Sequence, residues 1–135
     1  MKELFKKIKE TLAEQVPEVK HVDLWNRNVE FIEQDEGWEV PAVFVEFGPV
    51  AWEPLKDGLT WRGKGLVRLH IVTEWNAGGQ DAAWDVSGEV LKALSHLVGD
   101  TFGALYLTET LVSHDHEEVL ETIEVYSVRY LKSVK

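Results

Sequence analysis

The stretch that most constrains the fold is Gly65–Trp75, GLVRLHIVTEW, with the Asn76-Ala77-Gly78-Gly79 junction and helix-patterned residues that follow it. Across four residues the apolar period changes from two to about 3.6. Val67, Leu69, Ile71, Thr73 and Trp75 fall on one side of a strand; Leu66, Arg68, His70, Val72 and Glu74 fall on the other. Beyond the junction, Ala83, Val86, Val90, Leu94 and Leu97 line one helical face, with Leu91 and Val98 beside it. Gln80 or Asp81 is placed to cap this helix, and Gly99 to end it as the C′ residue. Gly88, in mid-helix, costs about 1 kcal/mol relative to alanine and leaves room for another backbone. A strand that turns within four residues into an amphipathic helix must lay that helix back on its own sheet.

The other segments extend this pattern. Leu4, Phe5, Ile8, Leu12 and Val16 predict a core-packing helix over about residues 2–15, stopped by Pro17. Val19–Trp25 is a short strand candidate ending at the Asn-Arg-Asn turn signal. Residues 28–40 carry five acids and read as a strand or irregular excursion with a turn at Gly37. Pro41–Phe47 is a strand whose apolar run predicts burial on at least one face. Residues 48–64, with two prolines and several turn signals, read as a long loop or loosely paired arm bearing Trp52 and Trp61. Residues 104–113 and 119–132 alternate around HDHEE and predict a closing hairpin. Together these predict an α+β fold over residues 1–135: a single antiparallel, or mixed, sheet with two helices on one face.

Charge and composition narrow the function. The chain has 135 residues, enough for one domain with a core. Its net charge of −10 argues against general binding to a phosphate backbone, although Lys2, Lys6, Lys7 and Lys9 cluster at one end. Without cysteine there are no disulfides and no thiolate metal sites. The charged N-terminal segment does not read as a signal peptide, and no run approaches the roughly 20 apolar residues of a membrane span. A soluble intracellular protein is expected. Six tryptophans favour an interface without locating one.

Few residues carry a chemical pattern. His114 and His116 of HDHEE lie two apart and share a metal with Asp115 or Glu117 only through a turn; the alternative is a polar hairpin tip. His70, with Arg68 and Glu74 on its strand face, offers acid–base groups, but the polar face of an antiparallel strand is more simply solvent-exposed. His96 suits a helix C-terminus. Gly63-Lys64-Gly65 lacks the spacing of a phosphate loop, and Ser87 lacks the strand-to-helix elbow of a hydrolase nucleophile. The acids Glu30, Glu33, Asp35, Glu36 and Glu39 form a solvated face or attract a basic partner.

PAVFVEFGPVAW, a loop, GLVRLHIVTEW, a Gly/Asp junction, a helix and a terminal hairpin containing EVYSVRYL follow one another along the chain. In this order they resemble the tail-completion or tail-terminator (minor tail protein U-like) proteins of tailed phages and prophages. The resemblance spans nearly the whole chain. It implies a non-enzymatic structural protein without cofactors, forming a homo-oligomeric ring, typically a hexamer, at the head-proximal end of the tail tube. The implied partners are tail tube and head–tail connector proteins, with neither a membrane nor a specific nucleic-acid sequence. Assembly would occur in the cytoplasm and the product would reside in the virion tail. An acidic lumen would let DNA pass without sticking. Trp52, Trp61 and Arg62, with Glu33, Asp35 and Glu36, are the expected subunit or tube contacts. Two rivals remain at this level: a small α+β enzyme or ligand-binding domain using His70 and Glu74 or the His114/His116 cluster, and an adaptor holding a basic partner on its acidic stretch.

Overall fold

A computed structural model describes residues 1–25, 39–74, 78–113 and 119–134. Helix α1 spans Lys2–Gln15 and strand β1 His21–Leu24; β2 (Ala42–Pro54) and β3 (Thr60–Glu74) follow, then helix α2 (Gly79–Leu94), β4 (Tyr106–Ser113) and β5 (Val119–Ser133). The strands form one five-stranded sheet in the order β1-β2-β3-β5-β4. β1 runs parallel to β2; the other three pairings are antiparallel. The α+β expectation therefore holds, and the sheet is mixed.

The faces of β3 divide as its alternation requires. Val67, Leu69 and Ile71 are fully buried and join the core with Leu4, Ile8 and Leu12 of α1 and Val86, Val90 and Leu94 of α2. Both helices thus lie on one face of the sheet. Burying each such aliphatic side chain contributes about 1.5–3 kcal/mol, which holds a 14-residue helix that would be marginal alone. Glu3 ties α1 to the segment after α2: its carboxylate accepts hydrogen bonds from Thr101 N–H (2.9 Å), Thr101 Oγ1 (2.7 Å) and Asp100 N–H (3.3 Å). Burial in β2 is on both faces at its start, since Val43 and Val45 meet the helices while Ala42 and Phe44 join Val72 and Val119 in a second cluster beneath Trp25 and Val40.

Two expectations change and one open alternative is decided. The helix after the junction is not capped by Gln80 or Asp81: its N-cap is Gly78, at φ +98°, with no side-chain cap. Gly79 also has positive φ, so the paired glycines supply a left-handed turn that other residues resist. Nor does Gly99 end the helix, which stops at Leu94 with Ser95 as a right-handed C-cap. A Cβ at Gly99 would instead strike the Phe102 ring at 2.3 Å and Glu3 Oε1 at 2.6 Å, so this glycine makes room for the Glu3 clasp. Of the loop or loosely paired arm expected at 48–64, the arm is what forms, almost entirely as strand.

β2 and β3 pair out to Pro54 and Trp61, leaving residues 55–59 as the turn. Asp57 Oδ1 accepts from the Leu59 and Thr60 amides, both at 2.9 Å, and Gly58 takes φ +67°. Lys56-Asp57-Gly58 is a hairpin signal of the Asp-Gly kind. It is obscured in the sequence by Gly48-Pro49, where a bulge shifts the register between Phe47 and Val50. The bulge also moves Val50, Trp52 and Pro54 to the sheet face that carries the helices, giving the cross-sheet rows Trp52–Gly63–Tyr130 and Pro54–Trp61–Lys132.

Candidate functional site

His70 is not on a solvated face. It is 5% exposed, its ring stacks on Trp25 at 3.8 Å between centroids with 2° between planes, and both nitrogens are engaged. Nδ1 lies 2.6 Å from Glu121 Oε2, and Nε2 lies 2.7 Å from Glu46 Oε1. The topology explains the burial: β2 and β5 flank β3, and the chain leaving β1 carries Trp25 over this face, pinned by its amide to Val45 O at 2.9 Å. A neutral imidazole offers one N–H, so it satisfies one carboxylate and turns a lone pair to the other. Both contacts are favourable when the ring carries two N–H groups or a carboxyl carries a proton. Either way both ring nitrogens lie against carboxylates of neighbouring strands. The arrangement suits cross-strand clamping of β2, β3 and β5 more than proton transfer.

Glu74, the expected partner of His70, is exposed at the end of β3 opposite Val119 and takes no part in this network. The partners are Glu46 and Glu121, which the sequence places 24 and 51 residues away. No local spacing signals such a pairing; only strand register creates it. Ser87 is buried against the core, and His96 lies exposed just past the end of α2. His114 and His116 lie outside the described residues, as do Glu33, Asp35 and Glu36. Among the described residues no group of three or more His, Asp or Glu side chains is arranged to hold a metal ion. No helix among them is long and apolar enough to cross a membrane.

The three remaining interface candidates sit on the β2–β3 arm, but not together. Trp52 and Trp61 lie on rows of the helix-bearing face, whereas Arg62 points to the opposite face and bridges Glu53, its cross-strand neighbour, at 2.8 Å. Trp52 is 38% exposed. It lies across Gly63, where a Cβ would meet its ring at 2.9 Å and Val50 at 2.7 Å. Its ring also lies 6.2 Å from that of Tyr130, and Lys132 Nζ stands 5.0 Å from its centroid.

This end of the sheet meets the start of α1 in an open cleft of about 530 Å³, with Trp52 and Tyr130 on one wall and Lys2, Lys6, Lys132 and the carboxylate of Glu3 around it. The Tyr130 hydroxyl is buried without a hydrogen-bond partner among the described residues, and burial pushes the phenol up to about 12. Three lysines against the one carboxylate of Glu3, which is held by Thr101, leave the cleft net positive on a chain whose net charge is −10. Residue-level reading did not find it, because its lysines come from the two ends of the chain.

No protein-family model and no curated protein matches this chain. Its fold does match a chain in a solved structure, the virion of native gene transfer agent (GTA) particle, with a TM-score of 0.62 at 14% identity over 96% of this chain and 95% of that one. At that identity the likeness concerns the fold: one sheet and two helices, in an arrangement that also occurs in the virion of a gene transfer agent.

Proposed function

We propose that this protein is a structural subunit of a phage-like particle, and specifically a tail-completion or tail-terminator protein that forms a ring at the head-proximal end of the tail tube. The observation that carries this reading is the near full-length fold likeness to a chain of a gene transfer agent virion. The order of sequence elements points the same way. The closed His70 network adds weight, since the most chemically suggestive residue among those described serves to tie strands together. On this reading the protein is not an enzyme and needs no cofactor. Its partners are further copies of itself, the tail tube and the connector. It assembles in the cytoplasm, ends in the virion tail, and leaves DNA unbound in an acidic lumen. The arm bearing Trp52, Trp61 and Arg62, and the acidic residues Glu33, Asp35 and Glu36, supply contacts to neighbours.

Deleting the gene from its source and imaging the released particles by electron microscopy tests the role. Heads and tails that fail to join are expected, with joining restored by the gene supplied in trans. Normally joined particles from the deletion would overturn the proposal.

A further inference from the structure

The outer face of α2 is built for contact. Trp84 is 58% exposed on a rigid helix, one turn before Gly88, with Leu91, 36% exposed, a turn further along. Asp81, Asp85 and Glu89 are exposed around it. A Cβ added at Gly88 would meet nothing within 4 Å. The glycine therefore relieves no crowding inside the chain, although it costs the helix about 1 kcal/mol. The result is an aromatic knob ringed by acids, beside a flattened strip of helix.

The cleft at the other end of the fold is its counterpart in charge and shape. Trp52 and Tyr130 form an aromatic wall, and Lys2, Lys6 and Lys132 surround it. Its volume of about 530 Å³ is in the range, roughly 300–1,000 Å³, of sites that enclose a compact group. The two surfaces lie toward opposite ends of β3. The cleft lies on the Gly63 row of β3, whereas α2 begins beyond Glu74, eleven residues on, or roughly 35 Å along an extended strand.

We propose that the knob of one copy docks in the cleft of the next, Trp84 entering against Trp52 and Tyr130 while Asp81, Asp85 and Glu89 face Lys2, Lys6 and Lys132. The inference deepens the particle reading above and rests on it for its biological setting. The occupant is a second copy because the feature that complements a basic, aromatic-walled cleft is present on this same chain. The contact joins two different surfaces, so it is heterologous: repetition yields a closed ring when the rotation between copies divides a full turn, and a filament otherwise. A buried tryptophan supplies a hot-spot anchor, and the charges set register and encounter rate. One anchor covers far less than the roughly 800 Å² per partner of a standard interface. Association of the isolated protein is therefore concentration-dependent and weakened by salt.

The test is absolute mass by light scattering over a concentration series at low salt, for the full chain and two variants. Trp84→Ala removes the knob; Lys6→Glu/Lys132→Glu reverses the cleft. Both alter exposed residues, and circular dichroism verifies that each remains folded. The wild type is expected to form oligomers and each variant to stay monomeric. An equimolar mixture of the two is expected to stop at one-to-one dimers, because one good knob and one good cleft remain and neither dimer end can extend. A wild-type chain monomeric up to millimolar concentration overturns the contact. So does a wild-type oligomer that neither variant changes, or one dissolved only by Leu111→Lys on the exposed edge strand β4. Those outcomes leave the particle reading to stand or fall on the deletion phenotype.

Discussion

At the scale of single residues, two polar side chains hold parts of the fold that are remote in sequence. Glu3 accepts three hydrogen bonds from the segment after α2, and those from Thr101 lower its carboxyl below the usual carboxylate range, chiefly through the Thr101 hydroxyl. A depressed folded-state value means that the stabilisation is present above the unfolded carboxyl's ordinary range and is lost as pH falls through the folded value. Glu3→Gln should therefore melt below the wild type at pH 7, and the two melting curves should converge on acidification towards pH 3. His70 is the second case. His70→Ala removes the ring that joins the buried Glu121 to Glu46 and leaves a gap beneath Trp25, and the cost should be about 3 kcal/mol, the low end for a broken buried pair because Glu46 is partly in water. A fall in the urea midpoint at unchanged slope would check it.

At the scale of elements, glycine decides what the arm and α2 become. Gly63 permits Trp52 to lie flat across β3, so Gly63→Ala should cost about 1–3 kcal/mol by overpacking and displace the Trp52 ring from Lys132. Thermal melts with near-ultraviolet circular dichroism read both effects. Gly88 predicts the opposite sign. With open space around it, Gly88→Ala should raise monomer stability by up to about 1 kcal/mol, and it should weaken self-association because the methyl group stands on the docking strip. Stabilisation without any loss of association would count against a role for that strip.

At the scale of the whole molecule, the sheet core carries a pH limit on the alkaline side. Burial raises Tyr130 to about 12, and Tyr126 rises further for the same reason, with a smaller contribution from the neighbouring charge of Glu124. Raised folded values favour the neutral phenol, so the stabilisation is complete below the ordinary phenol value near 10 and is lost as pH climbs through about 12. Unfolding followed by circular dichroism should thus begin between pH 10 and 12, and Tyr130→Phe should move the onset upward. The unequal distribution of charge over the molecule matters as much. A chain at −10 that gathers three lysines around one aromatic cleft and three acids around one exposed tryptophan has two unlike ends, the condition for head-to-tail assembly.

The sequence by itself determined the period of each element and hence the composition of the main core. Val67, Leu69 and Ile71, and likewise Ala83, Val86, Val90 and Leu94, are buried as their spacing requires, because alternation and helical repeat are local geometry. The paired glycines of the junction were legible as a turn on the same grounds. Register was not. Whether residues 48–64 form a loop or an arm depends on a bulge at Gly48-Pro49 that keeps two strands paired across an apparent break. The partners of His70 were hidden because Glu46 and Glu121 reach it from neighbouring strands, and its burial because Trp25 covers the face that alternation alone leaves to solvent. The basic cleft was hidden in the same way, since α1 and β5 bring Lys2, Lys6 and Lys132 together from opposite ends of the chain. Local pattern records which face of an element is apolar; only strand order and packing decide which polar residues of distant segments share a place.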